Sequence, residues 1–132
     1  MLFVELTISY AQLIVMNYDG PPPDIEWTDE AFERRYVQVD DAVIFEAISD
    51  YTCEVAGYVG QHREREGIVR KVSVPFVVKD EGVFVKSILS NTVHIDVPKG
   101  NYMLVLQVIP LEESRDDELY RVRYELYFES EE

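Results

Sequence analysis

The sequence predicts an all-β fold: one domain, residues 1–132, built as an antiparallel β-sandwich of about eight or nine strands with one short α-helix near residues 28–38. Three observations predict it. Runs rich in β-branched and aromatic residues recur along the chain, many alternating apolar with polar. Gly, Pro, Asn and Asp punctuate them about every 8–12 residues. Only one stretch carries helix signals, so the repeated strand–helix alternation of a parallel α/β fold is absent.

The elements follow in order. Leu2 to Ser9 and Gln12 to Asn17 read as two strands, or as one long bent strand broken near Tyr10–Ala11. Asp19-Gly20-Pro21-Pro22-Pro23-Asp24 ends regular structure, because three prolines fix φ and favour an extended rod. Thr28 can cap a helix, with Asp29 and Glu30 at its positive end. Phe32, Tyr36 and Val39 would form its apolar stripe, and it should end before Asp40-Asp41. A helix this short must dock on the body to persist.

Ala42 to Ile48 and Thr52 to Val59 are the next strands, followed by a mixed-charge loop from Gly60 to Gly67. Ile68 to Lys79 alternates, with Val72, Val74, Phe76 and Val78 inward. Pro75 cannot donate to a ladder, which places this strand at a sheet edge or at a bulge. Asp80-Glu81-Gly82 reads as a hairpin turn into Val83 to Leu89. Thr92 to Val97 follows, ended by Pro98-Lys99-Gly100-Asn101. Tyr102 to Ile109 is a nearly continuous apolar run, and an acidic loop, Leu111 to Glu118, leads to the last strand. There Tyr120, Val122, Tyr124, Leu126 and Phe128 alternate with Arg121, Arg123, Glu125, Tyr127 and Glu129.

Charge narrows the function classes. The formal net charge is −14, and residues 1–50 alone hold 11 acids against 2 bases. Such a field repels nucleic acid and anionic membranes, whose partners need Lys and Arg. It favours a basic protein partner and speeds encounter with it. Solubility alone is the plain alternative. The single cysteine, Cys53, allows no disulfide within the chain and suits a core position. The apolar start, Met1 to Met16, lacks a basic n-region and is interrupted by Glu5, Ser9 and Gln12, so neither a signal peptide nor a membrane span is expected. A cytoplasmic location is the expectation, with no membrane insertion.

Catalytic and metal chemistry find little to work with. The two histidines, His62 in a loop and His94 inside a strand, stand near no nucleophile motif. Zinc would need Cys and His clusters. Calcium could use Asp19, Asp24, Glu26 and Asp29, or Asp40 and Asp41, but their spacing matches no calcium loop. Carboxylate pairs for glycoside hydrolysis and an aromatic sugar platform on Trp27 are weaker alternatives. No catalytic residue, metal or cofactor is expected. The strongest chemical feature is the acid around the helix: Asp24, Glu26, Asp29, Glu30, Glu33, Asp40 and Asp41 as partner-binding residues, with Trp27, Phe32 and Tyr36 plugging the sandwich beneath them. Carboxylates so arrayed can imitate DNA phosphates or pair with the bases that a nuclease uses to hold DNA.

The chain also resembles the competence protein J family, bacterial inhibitors of the DNA-entry nuclease. The resemblance lies in Ile8-Ser9-Tyr10 with Gln12, Pro22-Pro23, Trp27-Thr28-Asp29-Glu30-Ala31, Tyr36, Asp41-Ala42 and Phe45-Glu46-Ala47. It continues in Lys71-Val72-Ser73-Val74-Pro75-Phe76, Ser87-Ile88 with Ser90, and Pro98-Lys99-Gly100 with Tyr102. These blocks keep their order over about 100 residues; Gly60 to Gly67 and the chain beyond Pro110 show no visible match. The resemblance implies a non-enzymatic protein that binds and inhibits a nuclease used in DNA uptake. A calcium-dependent or carbohydrate-binding module, and an immunity protein against a nuclease toxin, are the alternatives. Oligomeric state is left open.

Overall fold

The computed structural model describes residues 2–7, 12–21, 25–39, 41–47, 52–61, 67–80, 82–87, 92–110 and 122–130. Within them lie β1 (Leu2–Thr7), β2 (Gln12–Met16), α1 (Asp29–Arg34), β3 (Tyr36–Val39), β4 (Ala42–Glu46) and β5 (Thr52–Val59). Then follow β6 (Arg70–Val78), β7 (Val83–Lys86), β8 (Val93–Ile95), β9 (Gly100–Pro110) and β10 (Val122–Ser130). They form two five-stranded sheets, β1-β5-β10-β9-β6 and β3-β4-β2-β7-β8. The expected β-sandwich is therefore present. Every strand pair is antiparallel except β5 with β10, which run parallel.

The core forms where the period-two pattern of each strand turns one row of side chains inward. The first sheet supplies Val72, Val74, Phe76 and Val78 from β6, Leu104 and Leu106 from β9, and Tyr124, Leu126 and Phe128 from β10. The second supplies Leu13, Val15, Val43, Phe45, Val83 and Val85. Cys53 is buried among them, as expected of a small apolar residue. Gly57 lets the sheets approach closely at one corner, where an added Cβ would stand 2.7 Å from Ile95 Cδ1.

Two local readings are corrected. The helix ends at Arg34, and Tyr36–Val39 is a strand. Phe32, Tyr36 and Val39 are spaced for a helix, but Tyr36 to Val39 also fit a strand, and pairing with β4 wins. The turn at Asp80-Glu81-Gly82 does not make a hairpin, because β6 and β7 belong to different sheets. Gly82 adopts φ 102° and donates its N–H to the Val97 carbonyl at 2.9 Å, carrying the chain across the sandwich.

Pro75 does lie on an edge strand: β6 closes the first sheet. Its outward backbone groups are taken up by the other sheet. Gln38 Nε2 donates to the Pro75 carbonyl, and in the opposite direction the Arg70 side chain of β6 donates through Nη1 to the Glu46 carbonyl of β4 at 2.7 Å. Asn17 uses both ends of its amide, donating to the Val77 carbonyl at 2.8 Å and accepting from Lys79 N at 3.0 Å. Side chains thus satisfy an edge that would otherwise be open to strand addition.

Candidate functional site

The site begins as a covering segment. On the outer face of the second sheet, Ile14, Met16, Ala42 and Ile44 form a second apolar cluster, covered by Ile25 and Trp27. The side chain of Thr28 then accepts a hydrogen bond from Ala31 N at 3.1 Å, and α1 begins. The helix lasts six residues and buries only Ala31. It stops at Arg35, which takes a left-handed conformation (φ 74°). That conformation is held by pairing with β4: Glu46 N donates to the Arg35 carbonyl at 2.9 Å, and Arg35 Nη1 meets Glu46 Oε2 at 3.1 Å.

The aromatic residues separate. Trp27 is half-buried on the outer cluster, not between the sheets. Phe32 stacks on Trp27 with centroids 5.1 Å apart and stays 47% exposed. Tyr36 alone reaches the inter-sheet core, 6.5 Å from the Phe45 ring. The expectation that all three plug the sandwich is therefore corrected for Trp27 and Phe32. Ala31, one position earlier on α1, takes the helix's buried position, and Phe32 is turned away from it.

The acids separate as well. Glu26, Asp29, Glu30 and Glu33 are exposed, and none forms an ion pair among the described residues. The bases beside them are engaged: Arg35 with Glu46, and Arg34 with Tyr36, whose carbonyl accepts from Nε at 3.0 Å. Arg34 also lies 5.2 Å over the Tyr36 ring. Asp41 stands at the far end of β3, roughly 13 Å of strand from the helix. There its carboxylate meets Lys79 Nζ at 2.7 Å. A cleft of about 500 Å³ opens beside this pair, lined by Asn17, Gln38, Val39, Phe76 and Val77. Asp24 and Asp40 lie outside the described residues, as do His62 and the acidic loop from Glu112 to Glu118.

A different polar cluster went unread in the sequence. On the outer face of the first sheet, Glu125 is 1% exposed. Its carboxylate accepts from Tyr127 Oη at 2.9 Å and meets Arg123 Nε at 3.1 Å. Arg123 in turn donates to Tyr58 Oη at 2.9 Å, and Tyr58 stacks on Tyr127 at 4.7 Å. Alternation alone marks these residues as facing solvent. No signal in the strand pattern distinguishes a covered outer face from an open one.

His94 is exposed on β8, with Nδ1 3.4 Å from Asp96. Among the described residues no group of three or more His, Cys, Asp or Glu is placed to hold a metal. No described helix is long and apolar enough to cross a membrane.

Fold and surface together define a small, strongly acidic β-sandwich that presents a short helix carrying an exposed aromatic ring and carboxylates that are unpaired among the described residues. The sequence profile of competence protein J (ComJ) matches residues 5–129. The DNA-entry nuclease inhibitor of Bacillus subtilis (strain 168) is 37% identical over 110 residues, covering 83% of each chain. The crystal structure of ComJ from the same species, described as the inhibitor of the DNA degrading activity of NucA, superposes with a TM-score of 0.86 at 34% identity. That match covers 98% of this chain and 96% of the other. The chain belongs to the competence protein J family. The match runs past Pro110 and so includes β10, where the sequence blocks had given out.

Proposed function

We infer that this protein inhibits a DNA-entry nuclease by binding it directly, and that it has no catalytic activity of its own. The observation that carries the reading is the similarity to the Bacillus subtilis inhibitor across 83% of both chains. The physical mode follows from the surface. A nuclease holds DNA through Lys and Arg set against phosphates. Glu26, Asp29, Glu30 and Glu33 present exposed carboxylates to such a surface, and none is ion-paired among the described residues. A net charge of −14 adds long-range steering, which accelerates encounter and weakens as salt screens it. Inhibition is then occlusion: the partner's DNA-holding residues are occupied. Action inside the cytoplasm fits the reduced state that the lone Cys53 permits.

The test is to mix the purified protein with the DNA-entry nuclease of its host and follow cleavage of plasmid DNA. Cleavage should fall in proportion to added protein and stop near equivalence. Undiminished cleavage in excess protein would overturn the reading.

A further inference from the structure

We propose that Phe32, backed by Trp27, is the apolar anchor of the nuclease interface, a deepening that rests on the inhibitor reading above. Folding makes little use of this ring. The helix buries Ala31, yet Phe32, the next residue, is 47% exposed. The ring is nevertheless held in place. It stacks on Trp27 at 5.1 Å, and Trp27 rests on the cluster of Ile14, Met16, Ala42 and Ile44. A rigid aromatic loses little conformational freedom when a partner covers it. Energetic centres of interfaces are commonly such rings, with polar groups around them that exclude water.

The surrounding chemistry selects the occupant. Glu26, Asp29, Glu30 and Glu33 are exposed near Phe32 in sequence and unpaired among the described residues. A second copy of this chain would bring the same negative charge against itself. A basic, DNA-holding face of a nuclease would not: its cations meet the carboxylates, while an apolar or planar group meets the ring. Arg suits this face in particular, since its guanidinium can pair with a carboxylate and stack on an aromatic.

The test uses Phe32→Ala, Phe32→Leu and Phe32→Asp with the host's DNA-entry nuclease, reading the inhibition constant from plasmid cleavage and the unfolding midpoint of each variant. Because the ring is half exposed, all three should keep a near wild-type midpoint. Phe32→Ala should weaken inhibition at least ~30-fold, and Phe32→Leu should stay within about fivefold. Phe32→Asp separates the anchor from plain electrostatics. It adds negative charge toward a basic partner, yet should weaken inhibition at least as much as Phe32→Ala. Trp27 is the sole tryptophan. Replacing it with 5-fluorotryptophan should give one fluorine resonance that shifts when unlabelled nuclease is added. Equal inhibition by Phe32→Ala, stronger inhibition by Phe32→Asp, or an unmoved resonance at saturating nuclease would overturn the anchor while leaving inhibition standing. Self-association abolished by Phe32→Ala, with inhibition intact, would assign the ring to a second copy instead. Failure of the wild-type protein to inhibit would remove the nuclease reading, and this anchor with it.

Discussion

Gln107 sits at the centre of β9, opposite Glu125 on one side and Lys71 on the other. Its side chain is fully buried, and neither amide atom finds a hydrogen-bond partner among the described residues. A buried amide left unsatisfied forfeits its hydration, so an apolar side chain of similar shape should do better. Gln107→Met should therefore stabilise the fold by about 1 kcal/mol, read as a higher urea midpoint. Asn17 is the opposite case. Its one amide satisfies two backbone groups on the edge of β6. Asn17→Ala should cost about 1–2 kcal/mol by the same measurement. Neither role can be read from a strand pattern, because both depend on what crosses from another strand.

Among the elements, the covering segment and its helix need the closest reading. Trp27 and Phe32 are adjacent in space, yet their work differs. Trp27 seals an apolar cluster, so Trp27→Ala should destabilise the protein by about 3 kcal/mol. Phe32 is half exposed, and Phe32→Ala should cost under about 1 kcal/mol in the same denaturation series. The Thr28 cap satisfies one orphan helix donor, and Thr28→Ala should cost about 1 kcal/mol. Thr28, Asp29 and Glu30 made the start of this helix legible. Its end was not, because Tyr36-Val37-Gln38-Val39 satisfies both a helical stripe and a strand. The tie is broken by β4, a neighbour whose position no local pattern supplies. The strong strands lacked this ambiguity. β6 and β10 alternate over nine residues each, and both appear where they were expected.

For the whole molecule, counting strands and turn signals was enough to give a sandwich. It could not give the sheet order, the parallel pairing of β5 with β10, or the passage of β6 to β7 between sheets. Those follow from long-range packing and from the backbone freedom of Gly82. Charge placement was legible as composition only. Folding sorts it: among the described residues Glu26, Asp29, Glu30 and Glu33 form no ion pair, while Asp41 is committed to Lys79 and Glu125 to Arg123. The exposed acids nearest the helix are thus free to meet a partner's cations. Charge of this kind acts through the encounter rate, so inhibition should weaken as ionic strength rises and the Debye length contracts below about 8 Å.

The most direct measurement compares the inhibition constant of the wild-type protein against its host's DNA-entry nuclease with that of the Glu26→Lys, Glu30→Lys, Glu33→Lys triple variant at one fixed salt concentration. The wild type should inhibit. The triple variant, still folded because all three positions are exposed, should be weaker by about tenfold or more. Equal inhibition by the two proteins would contradict the acidic helix surface as the point of contact.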